Sequence, residues 1–430
     1  ACTVIGVGKR ASVDGSVIVS HSDAGPNSRI HVVPGRRHAP GEKAAVYWGI
    51  QDPTRPLDDP GEVLGHIPQV ERTYTYFHSA YSHMNEHQLA IGESTTSQRP
   101  ELVVERGRGD QIMTIEQAQI FALQRCRKAK DAVRLIGRLM EEHGFLPSSG
   151  DGSEMLLVGD PEEAWVFEVV GVGPGWSKTS GKPGAIWVAQ RLPDDHVCMV
   201  PNWSIIKEVH PEDEKRFLAS ANYKQEAIDR GWYDPESGRP FVWQEAYAPL
   251  PREFATSRFW LFHATFAPNA GPWPKRELEE DVYETPNPYF QYVEPVSLYP
   301  FSVAPEEKVS VRDVIAFQRS VFEDTIYDVT AQPQWLVPDG KGGIEKSPLA
   351  THFPGKDLRM LLKLSYRRPV ARHRGHYGMV TQLRSGLPNP VGGVYWVYLD
   401  NPYFSPYVPI YAGVTETAKG YQVYDPECYT

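Results

Sequence analysis

Cysteine is scarce in this chain: four residues out of 430. Cys2, Cys126, Cys198 and Cys428 are widely spaced with no CxxC pair, so neither a disulfide scaffold nor a structural zinc site is expected. Also missing is any apolar run of about 18 or more residues, which excludes a membrane-spanning helix at the sequence level. There is no excess of positive charge: 44 Lys and Arg stand against 54 Asp and Glu, a formal net charge of −10. That balance carries no electrostatic footprint for nucleic acid. No internal repeat and no low-complexity linker is present. The length is ample for a large core, and 41% hydrophobic with 23% charged residues is ordinary globular composition.

Aromatic residues and proline are plentiful, with 11 Trp, 22 Tyr and 38 Pro. That mix favours strands joined by rigid turns. Residues 3–8 and 16–20 are short β-prone runs, and Asp14-Gly15 between them signals a hairpin. Further strands are expected at 44–49, 88–92, 155–159, 164–170, 185–190, 196–200, 376–383 and 392–399. Asp160-Pro161 punctuates one hairpin. Thr114 with Gln117 reads as a capping box opening a helix to Cys126. A second helix runs from near Asp131 to a stop at Gly144. Two more are expected near 212–230 and 311–322, the latter with Ser310 as N-cap. Residues 267–305, rich in Pro and aromatics, read as an ordered loop or subdomain boundary, with 306–430 a C-terminal elaboration of one domain spanning 1–430. Strands, then helices, then strands point to α+β layers.

Cys2 is the sharpest chemical feature. A thiol needs a base to become a thiolate. A free α-amine, with an unperturbed pKa of about 7.7–8.0, accepts a proton near neutral pH without help from histidine. On position alone, a small apolar strand residue is the better reading of Cys2. Ala1 ahead of it suits cleavage by a signal peptidase, so a secreted or periplasmic location is expected; a cytosolic chain stripped of its initiator Met would look the same.

Cys2-Thr3 followed by Val-Gly-Lys-Arg-Ala-Ser-Val-Asp-Gly-Ser at 7–16 resembles the start of the dipeptidase A family. These are N-terminal-nucleophile cysteine hydrolases, distantly similar to penicillin V acylases and bile salt hydrolases. The resemblance continues through Met84-Asn85-Glu86-His87-Gln88-Leu89-Ala90-Ile91-Gly92-Glu93, at 156–170 and 183–203, and at Val380-Thr381-Gln382-Leu383-Arg384-Ser385 and Tyr407-Val408-Pro409. It spans almost the whole chain in consistent order.

The resemblance implies a four-layer αββα sandwich and hydrolysis of a dipeptide or short peptide through a thioester, with no metal or organic cofactor. It implies Cys2 as nucleophile, Asp23 as the residue orienting amine and thiol, Asn202 as oxyanion donor and Arg258 as the cation closing the charge network. His21 stands where many relatives carry Arg, and a protonated ring is expected to substitute in part. His21, Asn85 and Trp203 are expected to line the substrate site, Asn85 alternatively capping the turn before 88–92. Relatives suggest a homo-oligomer. The mechanism requires the Cys2 nitrogen to be free of Ala1; with Ala1 attached, a non-catalytic assembly or surface protein is the alternative. An N-acyl amide amidase is the other.

Two further clusters bear on metal chemistry. His83-Met84-Asn85-Glu86-His87 fits H-x-x-E-H, which holds zinc only if both histidines share a helical face. The turn-like Asn85-Glu86 and strand-like residues after it argue against a helix. His373 and His376, among Arg367, Arg368, Arg372 and Arg374, read as basic surface or internal ion pairing.

Overall fold

Asp14 Oδ1 accepts from the backbone N–H and hydroxyl of Ser16 at 3.1 and 2.5 Å, and Gly15 takes a left-handed φ of 75°. That turn folds β1 (Val4–Val7) back along β2 (Val17–Ala24), with Gly6 opposite Val19. The computed structural model describes residues 2–148, 152–249, 253–273 and 299–425.

After β2 come two small antiparallel ribbons. β3 (His31–Val33) pairs with β6 (Tyr76–His78), and β4 (Lys43–Trp48) with β5 (Glu62–Pro68). Then β7 (Ala90–Thr96) leads to helices α1 (Ile115–Arg125) and α2 (Ala129–His143). The Thr114 side chain caps α1 by accepting from Gln117 N–H, and Gly144 closes α2 at φ 75°. A run of strands follows: β8 (Ser153–Gly159), β9 (Ala164–Val170), β10 (Ile186–Arg191), β11 (Val197–Val200) and β12 (Phe217–Ala219). Asp160 makes the β8–β9 turn: its Oδ1 accepts from Glu162 and Glu163 N–H, while Oδ2 accepts from Ala129 N–H at the start of α2.

Helices α3 (Gln225–Asp229), α4 (Trp243–Tyr247), α5 (Glu253–Phe266) and α6 (Val311–Gln318) come next. Ser310 caps α6 in a reciprocal box with Asp313. A ribbon of β13 (Leu336–Pro338) and β14 (Ile344–Lys346) and helix α7 (Lys356–Leu362) precede β15 (Tyr377–Leu383), α8 (Asn389–Gly392), β16 (Val394–Leu399) and β17 (Val408–Tyr411).

Two antiparallel sheets carry the architecture, with strand orders β11-β1-β2-β15-β16-β17 and β12-β10-β9-β8-β7. They meet through β1 and β2 against β7 and β8. Helix α2 packs on β8, β9 and β10, and α6 packs on β15 and β2. Strands β1, β2, β8 and β9 are buried at every position. A half-solvated sheet alternates apolar and polar residues; these do not, because both of their faces are covered. The protein is thus a mixed α+β structure, as its pattern implied. The C-terminal strands β15–β17 complete the sheet that β1 and β2 begin.

Two expectations need correction. Residues 212–230 are not one helix: Phe217–Ala219 pairs with β10 and only Gln225–Asp229 is helical. Pairing across Ala189 and Leu218 buries apolar side chains more fully than a surface helix would, so tertiary contact overrides local propensity. The helix from 311 stops at Gln318, and Phe322 and Asp324 follow at φ 66° and 59°. Of the stretch 267–305, residues 274–298 lie outside the described residues. Its flanks meet: Trp273 and Tyr299 stack with centroids 6.0 Å apart.

Candidate active site

Cys2 enters the structure just ahead of β1, where Ser22 N–H donates to Thr3 O at 2.9 Å and draws the chain start against the end of β2. The side chain is 5% exposed. Its Sγ lies 3.5 Å from the backbone oxygen of Asp23 and 3.6 Å from Glu93 Oε2, both acceptors for the thiol proton. Burial, reinforced by the Glu93 carboxylate, pushes the thiol pKa well up. At rest the sulfur is therefore a thiol, and chemistry at Cys2 requires a base.

Asp23 sits in a β-bulge. Tyr377 faces Ala24 and Met379 faces His21, so two residues of β2 oppose Gly378 alone. Asp23 takes φ 56°, and its N–H donates to the Tyr398 hydroxyl at 3.2 Å. A bulge re-aims a side chain that regular pleating would direct elsewhere. Here Asp23 Oδ2 meets Arg372 Nη1 at 2.6 Å and Arg368 Nη2 at 3.7 Å, and Oδ1 lies 3.9 Å from His376 Nδ1. Burial pushes the carboxyl pKa up, but surrounding positive charges, Arg368 and Arg372 among them, more than offset this and hold it below the usual range. The C-terminal basic cluster is thus internal ion pairing at the site itself.

Asn202 follows β11 through Pro201, again at a positive φ of 66°. Its N–H donates to Ser94 Oγ at 3.0 Å and its Nδ2 to Thr95 O at 2.8 Å, both on β7. The following loop is pinned by Glu168 of β9. That carboxylate accepts from Ser204 Oγ, Ile205 N–H, Ile206 N–H and Trp243 Nε1 at 2.5, 2.8, 3.0 and 2.7 Å.

Arg258, fully buried on α5, joins these parts. Nη1 donates to Cys2 O at 2.7 Å and Thr3 Oγ1 at 2.6 Å; Nη2 donates to Pro201 O at 3.0 Å and Asn202 Oδ1 at 2.8 Å. The four residues Cys2, Asp23, Asn202 and Arg258, scattered over more than 250 positions, form one connected group.

His21 is fully buried, and burial pushes its pKa down to about 3, so the ring is neutral. The protonated histidine expected from the sequence is therefore corrected: Arg368 and Arg372 bring the positive charge instead. His21 Nδ1 lies 3.0 Å from His83 Nε2 and accepts from Glu93 N–H at 3.3 Å; His83 Nδ1 lies 2.9 Å from the Tyr395 hydroxyl. A backbone N–H only donates, so Nδ1 is the acceptor and the ring proton rests on Nε2. Nε2 faces Glu93 Oε2 at 3.7 Å.

Glu93 belongs to a buried acidic group. Thr95 of β7 pairs with Glu154 of β8, which makes Glu93 and Glu154 diagonal neighbours on one sheet face. Burial raises both carboxyls, Glu154 the further because the Glu93 charge adds to it. Glu116, in the first turn of α1, is pushed up to about 7 by burial.

Asn85 holds the fold together. Asn85 Nδ2 donates to Leu123 O and Cys126 O at 2.7 and 2.9 Å, and Oδ1 accepts from His87 and Leu89 N–H. All its capacity is spent tying the turn before β7 to α1, which leaves nothing for a substrate. Trp203 is 2% exposed and lies edge-on to Phe259 at 5.7 Å, beside Arg258. Residues 83–87 form a bridge and turn, not a helix, so His83 and His87 share no helical face. Cys198 is buried within β11.

Sequence reasoning did not single out Glu93, Glu154, Glu116 or the hydrogen-bonded chain from His21 through His83 to Tyr395. One signal was available: Ser20-His21-Ser22-Asp23, a polar run continuing an apolar strand that is buried throughout. Buried polar side chains need partners, and a row of them marks a site.

Comparison with known proteins shows the family. A family model described as peptidase family C69 matches residues 1–429. A "Probable dipeptidase" of Salmonella dublin is 23% identical over 98% of this chain and 83% of its own length. "Probable dipeptidase B" of Lactococcus lactis subsp. lactis (strain IL1403) is 24% identical, covering 99% of this chain and 78% of that one. "Dipeptidase A" of Lactobacillus helveticus is 23% identical over 98% of this chain and 77% of its own. With the family match running along the whole chain around a convergent cysteine, this protein belongs to peptidase family C69.

Proposed function

We propose that this chain is a dipeptidase of the N-terminal-nucleophile type, a single catalytic domain built as an αββα sandwich with Cys2 as nucleophile. The sheet contacts, with α2 on one sheet and α6 on the other, support the layered reading. The names of the relatives support the substrate class. One observation carries the mechanism: Arg258 ties the backbone oxygen of Cys2 to the side-chain oxygen of Asn202.

That tie fixes the amide of Asn202. Arginine only donates and Thr95 O only accepts, so Oδ1 and Nδ2 are assigned without ambiguity. One hydrogen of Nδ2 goes to Thr95 O, and the second is left for the oxygen of a reacting carbonyl. With Ala1 removed, the α-amine of Cys2 takes the thiol proton. The thiolate attacks the peptide carbonyl, and Asn202 donates to the oxyanion. The resulting ammonium protonates the leaving amine, and water hydrolyses the thioester. Asp23, held as a carboxylate by Arg368 and Arg372, orients the amine.

The test compares the parent with Cys2→Ala on a panel of dipeptides and N-acyl amides, with the intact mass of the active preparation measured alongside. Dipeptide hydrolysis lost in Cys2→Ala, from protein whose mass begins at Cys2, is the expected result. Unchanged hydrolysis in the variant, or full activity with Ala1 in place, overturns the reading. Cleavage of acyl amides in preference to dipeptides replaces the substrate class.

A further inference from the structure

We propose that Cys2, His21 and Glu93 form a binding site for one thiophilic divalent cation, zinc being the type, and that its occupation switches the nucleophile off. The inhibitory half rests on the dipeptidase reading; the binding half does not.

Three donor types converge here from separate places: a sulfur ahead of β1, an imidazole on β2 and a carboxylate on β7. Sγ, the His21 ring nitrogen and a Glu93 oxygen all lie within 4.8 Å of one another. Tetrahedral zinc, with Zn–S about 2.3 Å and Zn–N and Zn–O about 2.0 Å, sets S···O near 3.5 Å and N···O at about 3.3 Å. The corresponding distances are 3.6 and 3.7 Å, and the third edge, from Sγ to the ring nitrogen, lies within 4.8 Å.

An independent observation points the same way. His21 Nε2 is fully buried, aimed at Glu93 and the thiol, and makes no hydrogen bond among the described residues. A buried nitrogen without a partner is costly unless something fills that place.

The ring also has the outer support that metal-binding histidines use. A ligating imidazole donates its other N–H to a fixed partner. His21 Nδ1 lies 3.0 Å from His83 Nε2, and His83 Nδ1 lies 2.9 Å from the Tyr395 oxygen. This chain is hydrogen-bonded in either direction. With both ring protons on Nε2 it runs from Tyr395 toward His21. With both on Nδ1 it runs from His21 to Tyr395, and the Nε2 lone pair is free. Binding releases the thiol proton to solvent, forms the sulfur–metal bond and moves each ring proton from Nε2 to Nδ1. The 3.3 Å contact from Glu93 N–H is given up, and no oxidation state changes.

The donor set selects the metal. Thiolate with imidazole suits zinc, cobalt or cadmium, whereas magnesium and calcium seek oxygen cages. A sulfur lone pair committed to the cation cannot attack a carbonyl, so the bound form is inactive.

Cobalt(II), a spectroscopic stand-in for zinc, is titrated into the reduced full-length chain. The expected result is one equivalent bound, a thiolate-to-cobalt charge-transfer band in the near ultraviolet, and displacement by zinc. The band disappears in Cys2→Ser and survives replacement of Cys126, Cys198 and Cys428 by Ser. His21→Asn and Glu93→Gln each weaken binding by roughly tenfold or more. Zinc at the same concentrations stops dipeptide hydrolysis, and a chelator restores it. Absence of the thiolate band at one equivalent overturns the site, as does equal affinity in parent, His21→Asn and Glu93→Gln. Should His21→Asn fail to fold by circular dichroism, Glu93→Gln, which keeps the side-chain shape, decides alone. Metal binding as described in a parent that hydrolyses no dipeptide supports the site and overturns the proposed function.

Discussion

Arg258 Nη2 donates to Asn202 Oδ1 at 2.8 Å while Nη1 of the same guanidinium donates to Cys2 O at 2.7 Å. One planar fork on α5 thus sets the distance between the sulfur-bearing residue and the amide opposite it. Lysine has a single donor head and cannot span both acceptors. Arg258→Lys is expected to lower kcat by about a hundredfold with little change in KM, a loss of positioning more than of binding. Arg258→Met leaves the carbonyls of Cys2 and Pro201 without this donor and should cost about 3 kcal/mol in urea unfolding. Wild-type kcat in Arg258→Lys would remove Arg258 from the machinery.

Asn202 offers a cleaner separation of chemistry from folding. Removing one oxyanion donor typically costs about 2.7–4 kcal/mol in the barrier, or roughly 10²–10³ in kcat. Asn202→Ala and Asn202→Gly should both show this. They should differ in stability, because φ is 66° and only glycine takes that backbone without strain. Equal thermal melting of the two variants, or unaltered kcat in either, contradicts the assignment.

The resemblance implied Cys2, Asp23, Asn202 and Arg258 as a set, Cys2 and Asn202 from the segments that carry it, and the fold brings the four together. Their partners were not legible in the sequence. Arg372 is 349 residues from Asp23, and nothing local in either segment announces the pairing. Glu93 lies inside a recognisable segment, yet its chemistry comes from the register of β7 on β8 and from the closeness of Cys2, both tertiary. Asn85 stayed ambiguous for the opposite reason. An Asn at a turn looks the same whether its amide faces a substrate or two carbonyls of the neighbouring helix. The helix bearing Arg258 escaped notice because it is apolar almost all round, with Ala255, Phe259, Leu261, Phe262 and Phe266 buried. Such a helix has no polar stripe to reveal its period.

Glu168 tests how the Asn202 loop is held. Its carboxylate takes four hydrogen bonds, three from Ser204, Ile205 and Ile206 and one from Trp243. Glu168→Ala strands these buried donors, and each unsatisfied group costs on the order of 1–3 kcal/mol. A destabilisation of about 3 kcal/mol or more, with kcat falling as Asn202 loses its support, is the expected pair of effects in urea unfolding and steady-state kinetics. Glu168→Gln keeps one acceptor oxygen and should recover part of both. A variant as stable as the parent would show that the loop is fixed by other contacts.

Glu116 makes a pH dependence with a definite sign. Its carboxyl is fully buried and its pKa is pushed from the usual 4.5 up to about 7. The folded state therefore holds this proton more tightly than the unfolded chain does. Between these two values the native state binds more protons, so stability falls as pH rises. The contribution is fully present below the unfolded value and is lost as pH climbs through about 7. Between pH 5 and pH 8 the loss is roughly 2–3 kcal/mol. Glu154 and Glu93, raised in the same direction, add to the same trend, so the parent alone cannot isolate Glu116. Glu116→Gln can, since an amide does not titrate. The stability of the parent minus that of Glu116→Gln, from urea unfolding at both pH values, should shrink by that amount on going to pH 8. A difference that stays constant, or grows with pH, means that Glu116 is ionised in the folded protein and that burial has not set its charge.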